Sequence, residues 1–263
     1  MTTSADPIET ALSALSDSHD RLAALAKLLT GDEVSGRSYC ADWSIAQVLS
    51  HLGSGAEING LIVEAGLRGR EAPGQDQFQA IWGVWNAKSP QDQVRDGVAE
   101  DGELVEQLAA IGPEQRRGWR LSVFGTERDL ADLITMRLSE HILHTWDVEV
   151  TRHPHATLAG DAVGLILGFA SEAGGMTGKP SDRDLQVHVT TEHPERHFEL
   201  VAGPDGVALA AAGPDPAAGD ATLRLPAEAF VRLLAGRLDP EHPAPVQAQG
   251  VDLDDLRAVF PGF

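Results

Sequence analysis

Four stretches with the apolar periodicity of α-helices occupy the first 150 residues of the chain. The first predicts a helix of about 25 residues that Gly31 ends. Its apolar residues recur at helical spacing: Ile8, Leu12, Leu15, Leu22, Leu25 and Leu29. Helices with one apolar face bury those faces against one another, and short connections make sequential helices antiparallel. The pattern therefore predicts an up-down-up-down four-helix bundle.

The other three helices are marked by their ends. The second begins with a capping box. The Ser44 hydroxyl accepts from the backbone amide of Gln47, and the Gln47 side chain accepts from the backbone amide of Ser44. The third begins at Ser89-Pro90, with serine as the N-cap and proline in the first helical position. The fourth covers about residues 127–150. Glycines within the second helix predict a bend, and residues 68–88 predict a looser connection.

The second half of the chain has a different pattern of apolar residues. After a helix at about residues 160–173, short alternating apolar runs occupy residues 185–189, 197–201 and 207–211. These runs and the turn residues between them predict antiparallel strands. A strand at 221–225, a helix from Pro226, a strand at 246–248 and a helix at 252–259 complete the pattern. We therefore predict an α+β multidomain chain, with a helical bundle in residues 1–155 and a small α+β domain in residues 156–263.

The net charge of the chain disfavours two classes of partner, although it leaves room for a local basic pocket. Its 40 acidic and 20 basic side chains give a net charge of −20, whereas nucleic acids and anionic membranes attract a positive surface. Cys40 is the only cysteine, so no intramolecular disulfide can form and a reducing compartment is expected. No basic and apolar leader and no membrane-length apolar run is present. The sequence predicts a cytoplasmic protein that binds neither nucleic acid nor membrane.

Ionisable residues lie on the apolar face of the fourth helix. Glu140 and His144 are one turn apart on the arc that its leucines define, and Arg137 and His141 lie on that arc as well. Taking a charge into a bundle core costs several kcal/mol unless the group is paired or bound to a metal. This cost indicates a functional site on the inner face of the helix.

The spacing of Glu140 and His144 suits a divalent metal ion. Ligands at i and i+4 point to one place, but a catalytic metal usually takes three protein ligands. His51, at the edge of the apolar stripe of the second helix, is the candidate for the third. The alternatives are a salt bridge between Glu140 and His144, pairing of Arg137 with Glu140, and a boundary role for His51. Asp147 is either a carboxylate that orients His144 or a surface residue.

The remaining motifs carry no further chemistry. Six histidines lie in polar or turn contexts and are expected to be exposed to solvent: His153, His155, His188, His193, His197 and His242. The chain has no phosphate-binding loop, no dinucleotide glycine pattern and no nucleophile elbow. Cys40 is expected to be a buried thiol rather than a nucleophile.

Two segments resemble a known family. Residues 42–52 read DWSIAQVLSHL, and residues 140–148 read EHILHTWDV. They are similar to the two metal motifs of the mycothiol-dependent maleylpyruvate isomerase family, a branch of the DinB-like metal-binding bundles. Residues 185–263, which include LLAGR at 233–237, resemble its smaller α+β domain, related to sterol-carrier-like folds.

The resemblance implies a metal and a thiol cosubstrate. The metal, usually zinc in that family, would be held by His51, Glu140 and His144, although nickel and iron accept the same ligands. Mycothiol would be the cosubstrate, and its thiolate would attack an electrophilic small molecule. In an isomerase the thiol adds to a conjugated double bond, the bond rotates and the thiol leaves; in a transferase the thioether remains. An arginine of the second domain would bind anionic groups, with Arg237 as the catalytic candidate and Arg224 as the runner-up.

Three functions remain open at this point. The first is a metal- and mycothiol-dependent S-transferase or cis–trans isomerase with its active site in the cleft between the domains. The second is a non-enzymatic protein that binds a small molecule. The third is a hydrolase or lyase that uses the metal without a thiol. The electrophile, the metal and the oligomeric state are not determined by the sequence.

Overall fold

A computed structural model describes residues 6–40, 42–123, 125–217 and 221–262 of the chain. Their contacts form two compact units, of which the first ends at Ala156 and the second begins at Thr157. The first unit is helical with one small hairpin, and the second mixes strands and helices. The predicted α+β class is therefore confirmed. Within these residues no helix combines the length and the apolar character needed to cross a membrane.

The first unit is built around the predicted long helices. α3 packs against α5, α1 packs against α7 and α5, and α3 also contacts α7. The elements of this unit are α1 (Pro7–Ala26), α2 (Gly31–Val34), α3 (Ile45–Leu67), α4 (Gln75–Asn86), α5 (Pro90–Ala109), α6 (Pro113–Gly118), β1 (Arg120–Val123), β2 (Thr126–Asp129) and α7 (Leu130–Glu149).

The helix starts follow the capping signals of the sequence. Ser44 and Gln47 form the predicted capping box of α3, and Ser89 accepts from the amide of Asp92 at the start of α5. Gly31 does not end the first helix, which stops at Ala26, but begins the short helix α2. That prediction was wrong because Thr30 forms a capping box with Glu33 and starts a new turn at Gly31.

The segment between α3 and α5 is more ordered than predicted. Residues 75–86 form the helix α4, which buries Phe78, Ile81 and Trp85 along one face. Their spacing of three and four residues is the helical pattern, but Trp82 and Val84 on the other faces of the helix obscure it in the sequence. The Lys88 ammonium lies 3.4 Å from the centre of the Trp85 ring. The hairpin of β1 and β2 and the short helix α6 were also not predicted.

The glycines of α3 make room for neighbouring side chains. The helix continues from Ile45 to Leu67 through all of them. A Cβ atom at Gly53 would lie 2.4 Å from the ring of Trp85 and 2.7 Å from the Cα atom of Gly97 on α5. A Cβ atom at Gly97 would lie 2.4 Å from the carbonyl oxygen of Leu49. The backbones of α3 and α5 therefore approach each other closely beside the helical turn that carries His51.

We expect Gly97→Ala to destabilise the first unit by about 1–3 kcal/mol, because the added methyl group must push α3 and α5 apart. Gly83→Ala is the matched control. Gly83 lies in α4 with nothing within 4 Å of its Cβ position, so alanine there should stabilise the protein by about 0.4–1 kcal/mol. Urea unfolding of both variants measures the two effects. Equal effects of the two substitutions would contradict the close approach.

The second unit is a mixed sheet with helices. Its strands lie in the order β5-β4-β3-β6-β7. Its elements are α8 (Gly160–Ile166), a 3₁₀ turn (Leu167–Phe169), α9 (Ala170–Thr177), β3 (Leu185–Glu192), β4 (Arg196–Gly203), β5 (Gly206–Ala211), β6 (Ala221–Pro226), α10 (Ala227–Leu234), β7 (Gln247–Gln249) and α11 (Leu253–Val259). α10 packs against β3 and β6, and α9 packs against β5.

One strand pairing was not predicted from the sequence. β3 pairs with β6 in parallel, with Val189 opposite Leu223, whereas β3–β4, β4–β5 and β6–β7 are antiparallel. The predicted antiparallel pairing of the runs at 185–189, 197–201 and 207–211 is therefore confirmed, whereas the sequence predicted no partner for the strand at 221–225. Alternation of buried and exposed residues is the same in both kinds of pair, so the sequence pattern could not distinguish them.

Candidate metal centre

Helices α3 and α7 bring three potential metal ligands together. His51 lies on α3, and Glu140 and His144 lie one turn apart on α7. Glu140 Oε2 is 3.3 Å from His51 Nε2 and 3.6 Å from His144 Nε2. The two imidazole rings meet edge to face, with their centres 4.7 Å apart. One donor atom from each residue lies within 4.8 Å of the other two, which is a spacing that one metal ion can bridge.

The centre is closed on one side and open on the other. The side chain of His144 is 12% exposed, that of His51 is 35% exposed and that of Glu140 is 56% exposed. The ring of Trp43 lies against both imidazoles, with centre-to-centre distances of 5.1 Å to His51 and 6.1 Å to His144. An ion held here would therefore meet solvent near Glu140 and an aromatic wall at Trp43.

Asp147 is hydrogen-bonded to His144, the most buried of the three potential ligands. Its side chain is fully buried, and its Oδ2 atom accepts from His144 Nδ1 at 2.8 Å. Because Nδ1 is engaged with this carboxylate, Nε2 is the nitrogen that faces Glu140 and His51. The thiol of Cys40 donates to the same oxygen at 3.1 Å. Cys40, His144 and Asp147 therefore form a second set of close donors behind the first, in which hydrogen bonds account for the short distances.

Charge interactions couple the same groups. Burial alone would lower the pKa of His144, but hydrogen bonds with Asp147, Cys40 and Glu140 raise it to about 10. Although 56% of the Glu140 side chain is exposed, its carboxyl is partly desolvated, which would raise its pKa; hydrogen bonds from His144 and His51 outweigh this effect and hold the pKa well below its usual range. In the absence of a metal, His144 is thus protonated and Glu140 is ionised near neutral pH. A metal ion that binds here takes the place of a proton.

The other ionisable residues of the inner arc of α7 belong to a separate cluster. Arg137 Nη2 is 2.8 Å from Asp101 Oδ1, and His141 Nε2 is 2.9 Å from Asp101 Oδ2. Arg137 therefore pairs with Asp101 of α5, and the alternative in which it neutralises Glu140 is wrong. His19 Nδ1 also contacts Asp101 Oδ2 at 2.8 Å. We define the Asp101 cluster as Ser18, His19, Asp101, Arg137 and His141.

The Asp101 cluster holds one stable ion pair. Burial would raise the pKa of Asp101, but His141, His19 and Arg137 hold it well below its usual range. Burial lowers the pKa of His141, so this imidazole is neutral. Ser18 Oγ lies 2.7 Å from His141 Nδ1, which gives the order of groups found in serine hydrolases. Ser18, His141 and Asp101 are at most 1% exposed, so no substrate can reach this serine.

The sequence contains a signal for Asp101 in the helical spacing of its buried neighbours. Gly97, Asp101, Leu104 and Leu108 follow one another at helical spacing on the buried face of α5. A carboxylate on such a face requires a partner, and the arginine and histidine of the α7 arc are those partners. The link between Cys40 and Asp147 had no comparable signal, because the two residues are far apart in the chain and lie in different elements.

The six histidines expected in solvent divide into two groups. His153, His155 and His193 are exposed, as predicted. His188 is buried, so the prediction was wrong there, and His197 and His242 are partly buried. His188 lies on the central strand β3, where β4 and β6 cover it from both sides, and its Nδ1 atom is 3.4 Å from Oε1 of Glu199 on β4.

The arginines of the second unit differ in exposure. Arg237 follows α10 and is 8% exposed, and its Nη1 atom donates to the carbonyl oxygen of Ala235 at 2.9 Å. Arg224 lies on β6 with 46% of its side chain exposed, and its Nε atom donates to Glu192 Oε1 at 2.6 Å. An anion in solvent can reach the guanidinium of Arg224 more easily than that of Arg237.

Comparisons with known proteins cover both units. The family described as "Mycothiol maleylpyruvate isomerase N-terminal domain" matches residues 15–149, and "MDMPI C-terminal domain" matches residues 168–261. No curated protein matches the chain. The crystal structure of the mycothiol-dependent maleylpyruvate isomerase is similar with a TM-score of 0.67 and 15% identity, over 92% of this chain and 93% of that one. A structure of a histidine-to-alanine mutant of that isomerase gives the same values. At this identity the likeness establishes a shared fold.

Proposed function

Because this chain belongs to the mycothiol maleylpyruvate isomerase family, we propose that it is a metal- and mycothiol-dependent enzyme that activates a thiol for attack on an electrophilic small molecule. The observation that carries this proposal is the convergence of His51, Glu140 and His144 at one side of the bundle. The family and the names of the similar structures support the thiol, and the donor set supports the metal.

The three donors fit a divalent metal ion. Two imidazole nitrogens and one carboxylate form a set that zinc, nickel and iron accept, with zinc as the first candidate. The buried carboxylate of Asp147 on the far nitrogen of His144 is the partner that metal-bound histidines usually have. When bound, the metal would lower the pKa of a coordinated thiol, so that a thiolate is present near neutral pH.

The surrounding residues shape the space for a thiol and its electrophile. Trp43 covers the imidazole pair and would exclude water from that side. The exposed edge at Glu140 leaves one side open for a ligand. Arg237 stays our sequence-based candidate for binding an anionic group. The greater exposure of Arg224 favours the runner-up, and Arg237→Lys compared with Arg224→Lys in the KM for an anionic electrophile would separate the two.

The proposal covers two outcomes of the same first step. A cis–trans isomerase returns the thiol, and an S-transferase keeps it in the product. Turnover of the metal-loaded protein with mycothiol distinguishes them, because only a transferase consumes thiol in proportion to product. The panel of electrophiles should include a conjugated cis-alkene of the maleylpyruvate type, which the name of the similar isomerase suggests.

Controls separate the remaining alternatives. A hydrolase or lyase would act equally well without any thiol, and a binding protein would retain the electrophile without turnover. Replacement of mycothiol with glutathione tests whether the whole thiol cosubstrate is recognised. Turnover that is independent of thiol, or binding of the electrophile with no turnover under any condition, would contradict the proposed function.

We expect Asp147→Asn to weaken metal binding by about 10–100-fold, which is the typical effect of removing the partner of a metal-bound histidine. The amide keeps the shape of the side chain but no longer fixes His144 with a negative charge. Competition with a chromogenic chelator measures the dissociation constant. Glu149→Gln, two residues further along α7, removes the same charge without touching the His144 partner and should bind metal normally. Unchanged affinity of Asp147→Asn would show that Asp147 does not orient the ligand.

A further inference from the structure

The Asp101 cluster reaches the helical turn that carries His51. Arg137 Nη2 donates to Asp101 Oδ1 and to the backbone carbonyl oxygen of Leu52, each at 2.8 Å. Leu52 directly follows His51 on α3, and Arg137 precedes Glu140 by three residues on α7. We infer that Arg137 is a positioning residue for the metal centre, which sets the separation of the two ligand-bearing helices. This inference rests on the proposed metal site of the preceding section.

The bond from Arg137 to Leu52 joins α3 and α7 at the level of the ligands. A helical carbonyl oxygen already accepts the amide four residues ahead, and its second lone pair is available for another donor. The guanidinium fills that position from α7 while the carboxylate of Asp101 on α5 fixes the same nitrogen. A shift of α3 along α7 would break the bond to Leu52, because the bond to Asp101 holds the guanidinium in place.

Burial makes this arrangement rigid. The side chains of Arg137 and Asp101 are 3% and 0% exposed, so water cannot replace either partner. Gly55 leaves the space that the guanidinium occupies, because a Cβ atom there would lie 2.9 Å from Arg137 Nη1. The planar guanidinium also restricts the directions in which its hydrogen bonds can point. The distance between α3 and α7 is thus fixed beside His51.

A purely structural role explains the cluster less well. Buried ion pairs can often be replaced by apolar side chains without loss of stability. The Nε atom of Arg137 is buried and has no hydrogen-bond partner among the described residues. That unsatisfied donor is a cost, and a well-packed apolar side chain would avoid it. A metal centre, by contrast, requires ligand positions accurate to a few tenths of an ångström, and the bond to Leu52 supplies that accuracy.

The test compares Arg137→Lys with Leu138→Ala in the full chain. The lysine keeps the positive charge beside Asp101 but is too short to hold both acceptors as arginine does. We expect a Co²⁺ dissociation constant at least tenfold higher and a shifted visible absorption spectrum of the bound Co²⁺. Leu138, on the same helix, is fully buried, so its truncation should lower stability while the Co²⁺ affinity and spectrum stay those of the unchanged protein.

A second variant covers the case in which Arg137→Lys does not fold. Gly55→Ala leaves every charge in place and pushes a methyl group against Arg137 Nη1, so it should alter the Co²⁺ spectrum in the same direction. Unchanged Co²⁺ affinity and spectrum in the folded Arg137 or Gly55 variants would overturn the inference. Absence of turnover with mycothiol would leave it standing, whereas normal Co²⁺ binding by His51→Ala would remove the metal site itself.

Discussion

Alanine in place of His51 or His144 is expected to abolish metal retention and, with it, thiol-dependent turnover. Each substitution removes one of three donors, so the loss should exceed the roughly 10–100-fold effect that is typical for a residue that only orients a ligand. His144→Ala should be the more severe, because it also leaves the buried carboxylate of Asp147 without its histidine partner. The fold should remain, since His51 and His144 both lie at the edge of the bundle rather than in its apolar core.

Metal content after gel filtration, determined by mass spectrometry, measures this prediction directly. The unchanged protein should retain about one equivalent, as expected for a single site with three protein ligands. His155→Ala removes an exposed histidine of the segment after α7 and serves as the matched control. Full metal occupancy in a protein that carries both His51→Ala and Glu140→Ala would refute the site assignment.

Removal of the Asp101 carboxylate is expected to cause the largest loss of stability. Asp101→Ala leaves Arg137 in the core without a counter-charge, and breaking a buried ion pair from one side typically costs about 3–5 kcal/mol. The loss includes the contacts of Asp101 with His19 and His141. Urea unfolding of the metal-free protein is the appropriate measurement, because metal binding would add its own stabilisation.

Asp96→Ala is the control for the loss of an aspartate from α5. Asp96 lies on the same helix and pairs with Lys88 and Arg95 at the surface, where ion pairs contribute little to stability. Its removal should change the unfolding midpoint only slightly. A similar small change for Asp101→Ala would mean that the buried cluster does not support the bundle.

The sequence was most informative where a periodic apolar pattern met a capping residue. The long helices of the first unit follow from such patterns, and Ser44 and Ser89 mark the starts of α3 and α5 as predicted. The helix α4 was not predicted, because only Phe78, Ile81 and Trp85 form its buried stripe. The parallel pairing of β3 with β6 was not predicted either. Strand pairing depends on residues distant in the chain, and no local pattern encodes it.

The sequence predicted that the ionisable residues on the inner arc of α7 need partners, but it did not show that they divide into two groups. Glu140 and His144 meet His51, whereas Arg137 and His141 turn to Asp101. Helical periodicity places a residue on a face but does not say which neighbouring helix that face meets at each turn, so the division became visible only in three dimensions.

The candidate ligands on α3 and α7 are 89 residues apart in the chain. An ion bound by both helices would act as a reversible cross-link that closes a loop of more than half the length of the first unit. Closing a long loop restricts the unfolded chain. The fraction of molecules protected from unfolding would then follow the concentration of free metal around the protein. The concentration of the free ion would therefore control how long the chain stays folded as well as whether it is active. In a cell short of the ion, more of the protein would be unfolded and open to proteases.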